Sequence, residues 1–164
     1  MQNSSFDKVI ISDTSCLIAL AKINKLVILK KMYKEIIITP EVAAEYIHPM
    51  PEWIIQRAVK DKNKIIEILN SKLDIGESSA IALAMETKNS TLIVDEDRAR
   101  NYARKAGLSI IGTLTVIGNA CDQGYIDSYE AVCEDLRKTN FRFSKKLQEE
   151  VRKNIKSSRS GALR

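Results

Sequence analysis

Short runs of consecutive apolar residues alternate along the chain with longer segments whose apolar residues recur at helical spacing. The runs at 9–12, 36–38, 91–94 and 108–111 carry hydrophobic side chains at successive positions, which is typical of strands buried on both faces. A segment with helical periodicity follows each run. This order predicts an α/β fold with a central, mostly parallel sheet covered by helices.

Capping residues predict where several helices begin and end. Thr39 is a predicted N-cap, because it precedes a proline and a glutamate that both suit a first helical turn. The spacing predicts a helix over 97–106 that ends at Gly107, a residue that readily adopts a left-handed conformation. Thr113 is predicted to cap the next helix, which should end near Gly124.

The remaining segments are assigned from periodicity and composition. A helix is predicted from Ser15, followed by a Leu- and Ile-rich helix through Met32. The helix predicted from Gly76 is apolar and small on nearly every side, so it should be buried against the sheet. The apolar run at 65–69 fits a strand or a helix, and the proline-rich stretch 48–53 is a break.

Composition and length fit one ordinary domain. The 164 residues are 45% hydrophobic and 29% charged, which is enough chain for a hydrophobic core. No apolar run approaches the roughly 20 residues of a membrane span, and the first residues lack an apolar signal segment. We therefore expect a cytoplasmic protein without a membrane partner. Cys16, Cys121 and Cys133 lie in apolar helical patterns and should be reduced, buried thiols.

The positive charge is concentrated at the C-terminal end. The net charge is +5, yet residues 1–144 hold 19 basic and 19 acidic side chains. We therefore separate a predicted domain at 1–144 from a basic helix and frayed tail at 145–164, with Ser144 as N-cap. The apolar residues of this helix, at helical spacing, are Leu147, Val151 and Ile155.

Two interpretations of the basic helix stay open. It is either a solvated amphipathic helix or a surface that contacts nucleic-acid phosphates. The basic side chains that would make such contacts are Lys145, Lys146, Arg152, Lys153 and Lys156.

Four carboxylates lie at the ends of predicted elements. Asp13 and Asp95 follow strands, Glu45 lies on the helix after the second strand, and Glu77 opens a buried helix. In open parallel sheets, ligands bind outside the carboxyl ends of the strands. Oxygen-only ligation suits Mg²⁺ or Mn²⁺, which can orient a water for attack on a phosphodiester. The carboxylates therefore predict metal-assisted hydrolysis.

Each carboxylate also has a purely structural interpretation. Asp13 fits a turn or an N-cap, and Glu77 fits a capping box with Asp74. Glu45 fits a solvated helix position. Among the three consecutive acids at 95–97, we assign the N-cap of the following helix to Asp97.

Five sequence blocks in order carry a resemblance to a known family. They are ISDTSCLIALAKI, TPEVAAEY, LDIGESSAIALA, LIVDEDRAR and AGLSIIGTL, and they span roughly residues 8–145. This order resembles the PIN-domain family, in particular small stand-alone prokaryotic proteins related to VapC-type toxins. The resemblance implies a three-layer α/β/α sandwich, an Mg²⁺ or Mn²⁺ site and endoribonuclease activity. It implies that the catalytic, metal-binding acids are Asp13, Glu45, Glu77 and Asp95 or its neighbour Glu96, assisted by Thr14 or Ser15.

The resemblance also implies an RNA substrate, an antitoxin protein as a possible partner and a possible homodimer. The alternative function is a catalytically inactive PIN-fold module that binds RNA or a protein partner. A nuclease should bind a divalent metal at the acids, whereas binding by an inactive module should tolerate their neutralisation. A haloacid-dehalogenase-type phosphatase fits less well, because Ser15 occupies the position of its second aspartate.

Overall fold

Five parallel strands form the centre of the protein. A computed structural model describes residues 8–156. The strands are β1 (Val9–Ser12), β2 (Ile36–Ile38), β3 (Ile54–Gln56), β4 (Ser90–Ile93) and β5 (Ser109–Ile111). Their order in the sheet is β3-β2-β1-β4-β5, and every neighbouring pair is parallel. The predicted α/β class with a parallel sheet is confirmed.

Helices flank this sheet. They are α1 (Thr14–Lys22), α2 (Val27–Tyr33), α3 (Pro40–Glu45), α4 (Lys62–Leu69), α5 (Ile75–Glu86), α6 (Asp97–Lys105), α7 (Thr113–Asp122), α8 (Tyr129–Arg137) and α9 (Lys145–Asn154). The architecture agrees with the expected α/β sandwich. Between residues 8 and 156, none of the helices has the length and apolar character needed to cross a membrane.

The core lies along the central strands and α5. Ile11, Ile37 and Leu92 on three adjacent strands are each at most 2% exposed. Their strands are buried on both faces, which explains why apolar residues are consecutive there. Helix α5 is buried from Gly76 to Ala84 and packs against α3, α4 and β4. Because α5 is surrounded by protein, it has no polar face.

Two elements escaped prediction and one ambiguity is resolved. Strand β3 was missed because it has three residues, follows the proline-rich break and buries only Ile54. Helix α8 was not predicted either, although Val132 and Leu136 form part of its buried face. The ambiguous run at 65–69 lies in helix α4. Strand β4 begins and ends one residue earlier than the run at 91–94 suggested.

The helix caps agree with the sequence in part. Thr39 caps α3 by accepting a hydrogen bond from the Val42 amide, as predicted. The predicted N-cap Asp97 is wrong. The cap of α6 is Glu96, whose carboxylate accepts from the Ala99 amide at 3.0 Å, while Asp97 lies in the first turn. The longer side chain of Glu96 reaches the same amide from one residue earlier.

Helix α9 packs on the rest of the fold through its apolar face. Ser144 caps it by accepting from the Leu147 amide, as predicted. Val151 and Ile155 are buried, whereas Leu147 is 41% exposed. A Cβ atom at Gly118 of α7 would lie 3.1 Å from Val151 Cγ1, so the glycine lets the two helices approach closely.

The three cysteines are free and buried. This confirms the prediction that Cys16, Cys121 and Cys133 act as small hydrophobic residues. Burial raises the pKa of the Cys16 thiol well above its ordinary value, so this thiol is unreactive.

Candidate active site

Asp13 lies at the carboxyl end of β1, in the middle of the sheet. Its amide donates to the Ile93 carbonyl, which continues the pairing of β1 with β4. Its side chain is the N-cap of α1, since Oδ1 accepts from the Thr14 amide at 2.6 Å. The residue is 3% exposed. Asp13 is therefore a helix cap and also a buried carboxylate at the edge where ligands bind in parallel sheets.

Glu45, the last residue of α3, lies at the same edge of the sheet. The Thr14 hydroxyl donates to Glu45 Oε2 at 2.8 Å, so one residue joins the first two acids. The Glu45 carboxylate also lies against the first turn of α5. A Cβ atom at Gly76 would lie 2.7 Å from Oε1 and 2.8 Å from Oε2. Only a glycine at position 76 leaves Glu45 room to occupy this place.

Glu77 follows this glycine and takes part in a reciprocal cap. Asp74 Oδ1 accepts from the Glu77 amide at 2.7 Å, and Glu77 Oε2 accepts from the Asp74 amide at 3.1 Å. This capping box confirms the structural interpretation of Glu77. The residue is 8% exposed, and its Oε1 accepts no hydrogen bond from residues 8–156. One oxygen of Glu77 is therefore available to a ligand.

Burial and neighbouring charges raise the pKa values of Asp13 and Glu77. Burial raises the pKa of Asp13 to about 8, and the charges of Glu77, Asp74 and Glu45 add to this effect, while the hydrogen bond from Thr14 opposes it. Burial also raises the pKa of Glu77, with contributions from neighbouring carboxylates. In the described part of the chain, none of Asp13, Glu45 and Glu77 forms an ion pair. A cation at this edge would relieve their repulsion.

Asp95 accepts its hydrogen bonds from a different residue, Thr113. Its Oδ1 accepts from the Thr113 amide at 2.8 Å and its Oδ2 from the Thr113 hydroxyl at 2.5 Å. Burial raises the pKa of Asp95, and Thr113 and the Arg100 charge oppose this rise. The structure therefore joins Asp95 to the start of α7.

The contact with Asp95 also corrects the prediction for Thr113. Thr113 is the first residue of α7, and Gly112 occupies the cap position without a side-chain hydrogen bond. Thr113 cannot cap this helix because its hydroxyl and amide are both directed to Asp95. A Cβ atom at Gly112 would lie 3.0 Å from Asp95 Oδ1 and 3.1 Å from Arg100 Nη1, so any other residue there would press on both groups.

Glu96 is the alternative fourth acid. It is exposed, its Oε2 caps α6, and its charge raises the pKa of Glu77. Its charge therefore acts on the carboxylate edge, whereas Asp95 is held by Thr113. The choice between Asp95 and Glu96 as a ligand stays a prediction.

Comparison with known families agrees with the architecture. The family model DUF3368, described as a PIN domain, matches residues 9–157. The chain belongs to the PIN-domain family. Searches of curated proteins and of solved structures gave no match. PIN domains are nucleases in general, and PIN nucleases typically use divalent metals.

The donor set of this PIN domain fits such a metal in chemistry. Asp13, Glu45 and Glu77 offer oxygen ligands alone, which Mg²⁺ and Mn²⁺ prefer. Glu41, one turn before Glu45, adds a buried Oε2 without a hydrogen-bond partner among residues 8–156. Over these same residues, no three acidic, His or Cys side chains are spaced as ligands of one ion. A side chain such as Glu45 would have to move for all three acids to share a cation.

The two predicted assisting residues of the PIN domain have different surroundings. Thr14 contacts Glu45, as described above, so it lies among the carboxylates. Ser15 is half-buried and lines a groove with Phe141. The role of Gly76 was not predicted from the sequence. Its signal is a glycine in the first turn of a helix, where alanine is more favourable by up to about 1 kcal/mol.

The basic residues predicted to contact nucleic acid lie on the surface at the C-terminal end of the described chain. They are Lys145, Lys146, Arg152, Lys153 and Lys156, and all are exposed. Arg152 forms an ion pair with Glu130 of α8. Phosphate binding by this surface stays a prediction.

Proposed function

We propose that this PIN-domain protein is a divalent-metal-dependent endoribonuclease that hydrolyses RNA phosphodiester bonds. The observation that carries the proposal is the meeting of Asp13, Glu45 and Glu77 at the carboxyl end of the central strand, without an ion pair to a basic residue in the described chain. Isolated like charges at a sheet edge are costly, and a bound cation offsets that cost. The nuclease character of PIN domains supports the same conclusion.

The chain's own residues would prepare the site for an Mg²⁺ or Mn²⁺ ion held by Asp13, Glu45 and Glu77. Asp13 is immobilised as the cap of α1, and Thr14 orients Glu45 through its hydroxyl. Asp74 holds Glu77 in the capping box and leaves one oxygen available. When bound, the metal orients a water for attack and stabilises the leaving oxygen.

The finer biological role rests on the resemblance to VapC-type proteins. In this proposal the nuclease is a toxin whose partner is an antitoxin protein, and a homodimer is its possible assembly. The alternative, a catalytically inactive module, would bind RNA or a protein partner through the same fold. The two functions differ in whether neutralising the acids matters.

The test is cleavage of labelled single-stranded RNA with Mg²⁺ or Mn²⁺, compared with EDTA. Asp13→Asn is the informative variant, because asparagine retains the oxygen that accepts from the Thr14 amide. Glu52→Gln is the matched control, since Glu52 is exposed and lies before the amino end of β3, whereas the acids lie at the carboxyl ends of the strands. Thermal unfolding establishes that both variants are folded.

The nuclease proposal expects metal-dependent cleavage by the wild type and by Glu52→Gln, and a loss of at least about 100-fold in Asp13→Asn. Undiminished cleavage by a folded Asp13→Asn protein would place the chemistry elsewhere. RNA binding without cleavage by the wild type, unchanged in Asp13→Asn, would support the inactive module.

A further inference from the structure

A groove of about 220 Å³ runs along α1 and begins in its first turn, which Asp13 caps. One wall comes from residues at positions i, i+3, i+4 and i+7 of α1, which share one face of a helix. These residues are Ser15, Ile18, Ala19 and Lys22. Ser15 directly follows Thr14, whose hydroxyl contacts Glu45. The groove therefore begins at the border of the candidate active site.

The segment after α8 forms the opposite wall. The Thr139 hydroxyl donates to the Leu136 carbonyl at 2.7 Å and accepts from the Phe141 amide at 3.1 Å. These bonds hold the segment in place, so that Phe141 lines the groove while half-buried. The Phe143 ring lies 6.0 Å from the Phe141 ring and carries the Arg137 guanidinium at 4.2 Å. Phe141 is thus a pre-positioned aromatic side chain.

The lining combines apolar walls with polar ends. Ile18 and Phe141 are apolar, and the Ser15 hydroxyl and the Asn140 amide lie beside them. Neither polar group forms a hydrogen bond to another residue in 8–156. Lys22 is exposed at the far end, two helical turns from Ser15. A ligand suited to this lining has a flat apolar face, polar edges and a nearby negative charge.

We propose that the groove binds one nucleobase of the single-stranded RNA substrate, stacked on Phe141, with Lys22 contacting a phosphate. The place of Ser15 identifies the occupant: it lies in the helix turn that Asp13 caps and directly follows Thr14, so a strand cleaved at the acids would pass close to the groove. The inference rests on the proposed function and extends it to how the substrate is held. Aromatic side chains bind bases by stacking in many single-strand-binding proteins, with little dependence on sequence.

The first test compares RNA affinity in EDTA, where binding is measured without cleavage. Phe141→Leu keeps apolar bulk but removes the stacking surface, and Phe141→Tyr restores an aromatic ring. Tyr125→Leu is the matched control, because Tyr125 is an exposed aromatic residue that does not line the groove. Fluorescence anisotropy with a labelled single-stranded oligoribonucleotide should show about 10-fold weaker binding for Phe141→Leu. Binding by the other two variants should match the wild type.

A set of oligonucleotides with one abasic ribose moved along the strand identifies the base. In the wild type, one position should weaken binding by the same factor as Phe141→Leu. In Phe141→Leu the abasic position should no longer weaken binding, because the stacking of the base on the Phe141 ring is already lost. Lys22→Gln should lower the slope of log affinity against log salt by about 0.7.

The outcomes separate this inference from the proposed function. Equal affinity of Phe141→Leu and wild type, in a protein that cleaves RNA with metal, would overturn the base site alone. The groove would then be left to another occupant, such as a protein side chain. A wild type that neither binds nor cleaves RNA would overturn the nuclease and the base site together. An abasic effect that persists unchanged in Phe141→Leu would also refute the stacking role.

Discussion

Gly76→Ala should separate the stability of this protein from the geometry of its carboxylates. The added Cβ atom would lie 2.7 Å from Glu45 Oε1, whereas ordinary contact begins at 3.4 Å. The Glu45 carboxylate must therefore retreat by about 0.7 Å, the difference between these distances. Because the displaced atoms are the end of a flexible, half-buried side chain, the fold itself does not have to change.

Two opposing terms keep the effect of Gly76→Ala on stability small. Alanine is more favourable than glycine within a helix by up to about 1 kcal/mol. Loss of the hydrogen bond from Thr14 to Glu45 costs about 1 kcal/mol. The free energy of unfolding should therefore change by less than about 1 kcal/mol, which corresponds to at most about 4 °C in Tm. Activity should fall up to about 100-fold, because a shift of about 1 Å in a positioned group has that effect.

The assay combines kcat/KM on single-stranded RNA with thermal unfolding and Mn²⁺ titration calorimetry. Glu45→Ala supplies the matched background, since it removes the carboxylate that the new Cβ would meet. Gly76→Ala should raise Tm more in that background than in the wild type. Full activity and unchanged Mn²⁺ affinity in Gly76→Ala would refute the reasoning, as would equal changes of Tm in the two backgrounds.

Three further predictions concern the pKa of Asp13, the contact between Thr14 and Glu45, and the packing of α9. In EDTA, the stability of the wild type should fall as the pH rises from about 4 to about 8, because burial raises the Asp13 pKa from 3.8 to about 8 only in the folded state. Asp13→Asn should flatten this fall in denaturant titrations, and an equally steep fall would exclude Asp13 as its source. Thr14→Val should lower metal-dependent cleavage while Thr14→Ser retains it, because serine keeps the hydroxyl that orients Glu45; equal rates would count against this role. Ile155→Ala should lower the free energy of unfolding by about 2 kcal/mol or more, because Ile155 is buried and packs over Gly118. The Mn²⁺ affinity should not change, since this contact lies away from the acids. A decrease below about 0.5 kcal/mol would show that α9 packs only loosely.

The elements that could be predicted are those whose environment is uniform along their length. Strands β1 and β2 are buried on both faces, so their sequences are nearly continuous apolar runs. Strand β3 has one buried residue, Ile54, and its pairing with β2 is made by backbone groups that leave no trace in the side chains. The same limit applies to helix caps. Glu96 and Asp97 are neighbouring acids, and only backbone geometry decides which one caps α6.

The acidic residues of the candidate site could be predicted from the sequence, but the residues that contact them could not. Asp13, Glu45 and Glu77 were selected by their positions at the mouths of elements, and contacts through Thr14 and Gly76 bring them to one edge. The hydrogen bonds from Thr113 to Asp95 join residues that are 18 positions apart. No local pattern specifies such a pair.

The sequence by itself determined the alternation of four strands with helices and the parallel sheet, and it predicted the edge of that sheet at which the acids lie. Periodicity and caps carry this information because each depends on residues a few positions apart. Only the tertiary structure decided that Glu45 lies against Gly76, that Thr113 holds Asp95, and that Phe141 faces Ser15 across a groove. These contacts depend on how separate helices approach one another, and that approach is set by packing of the whole core.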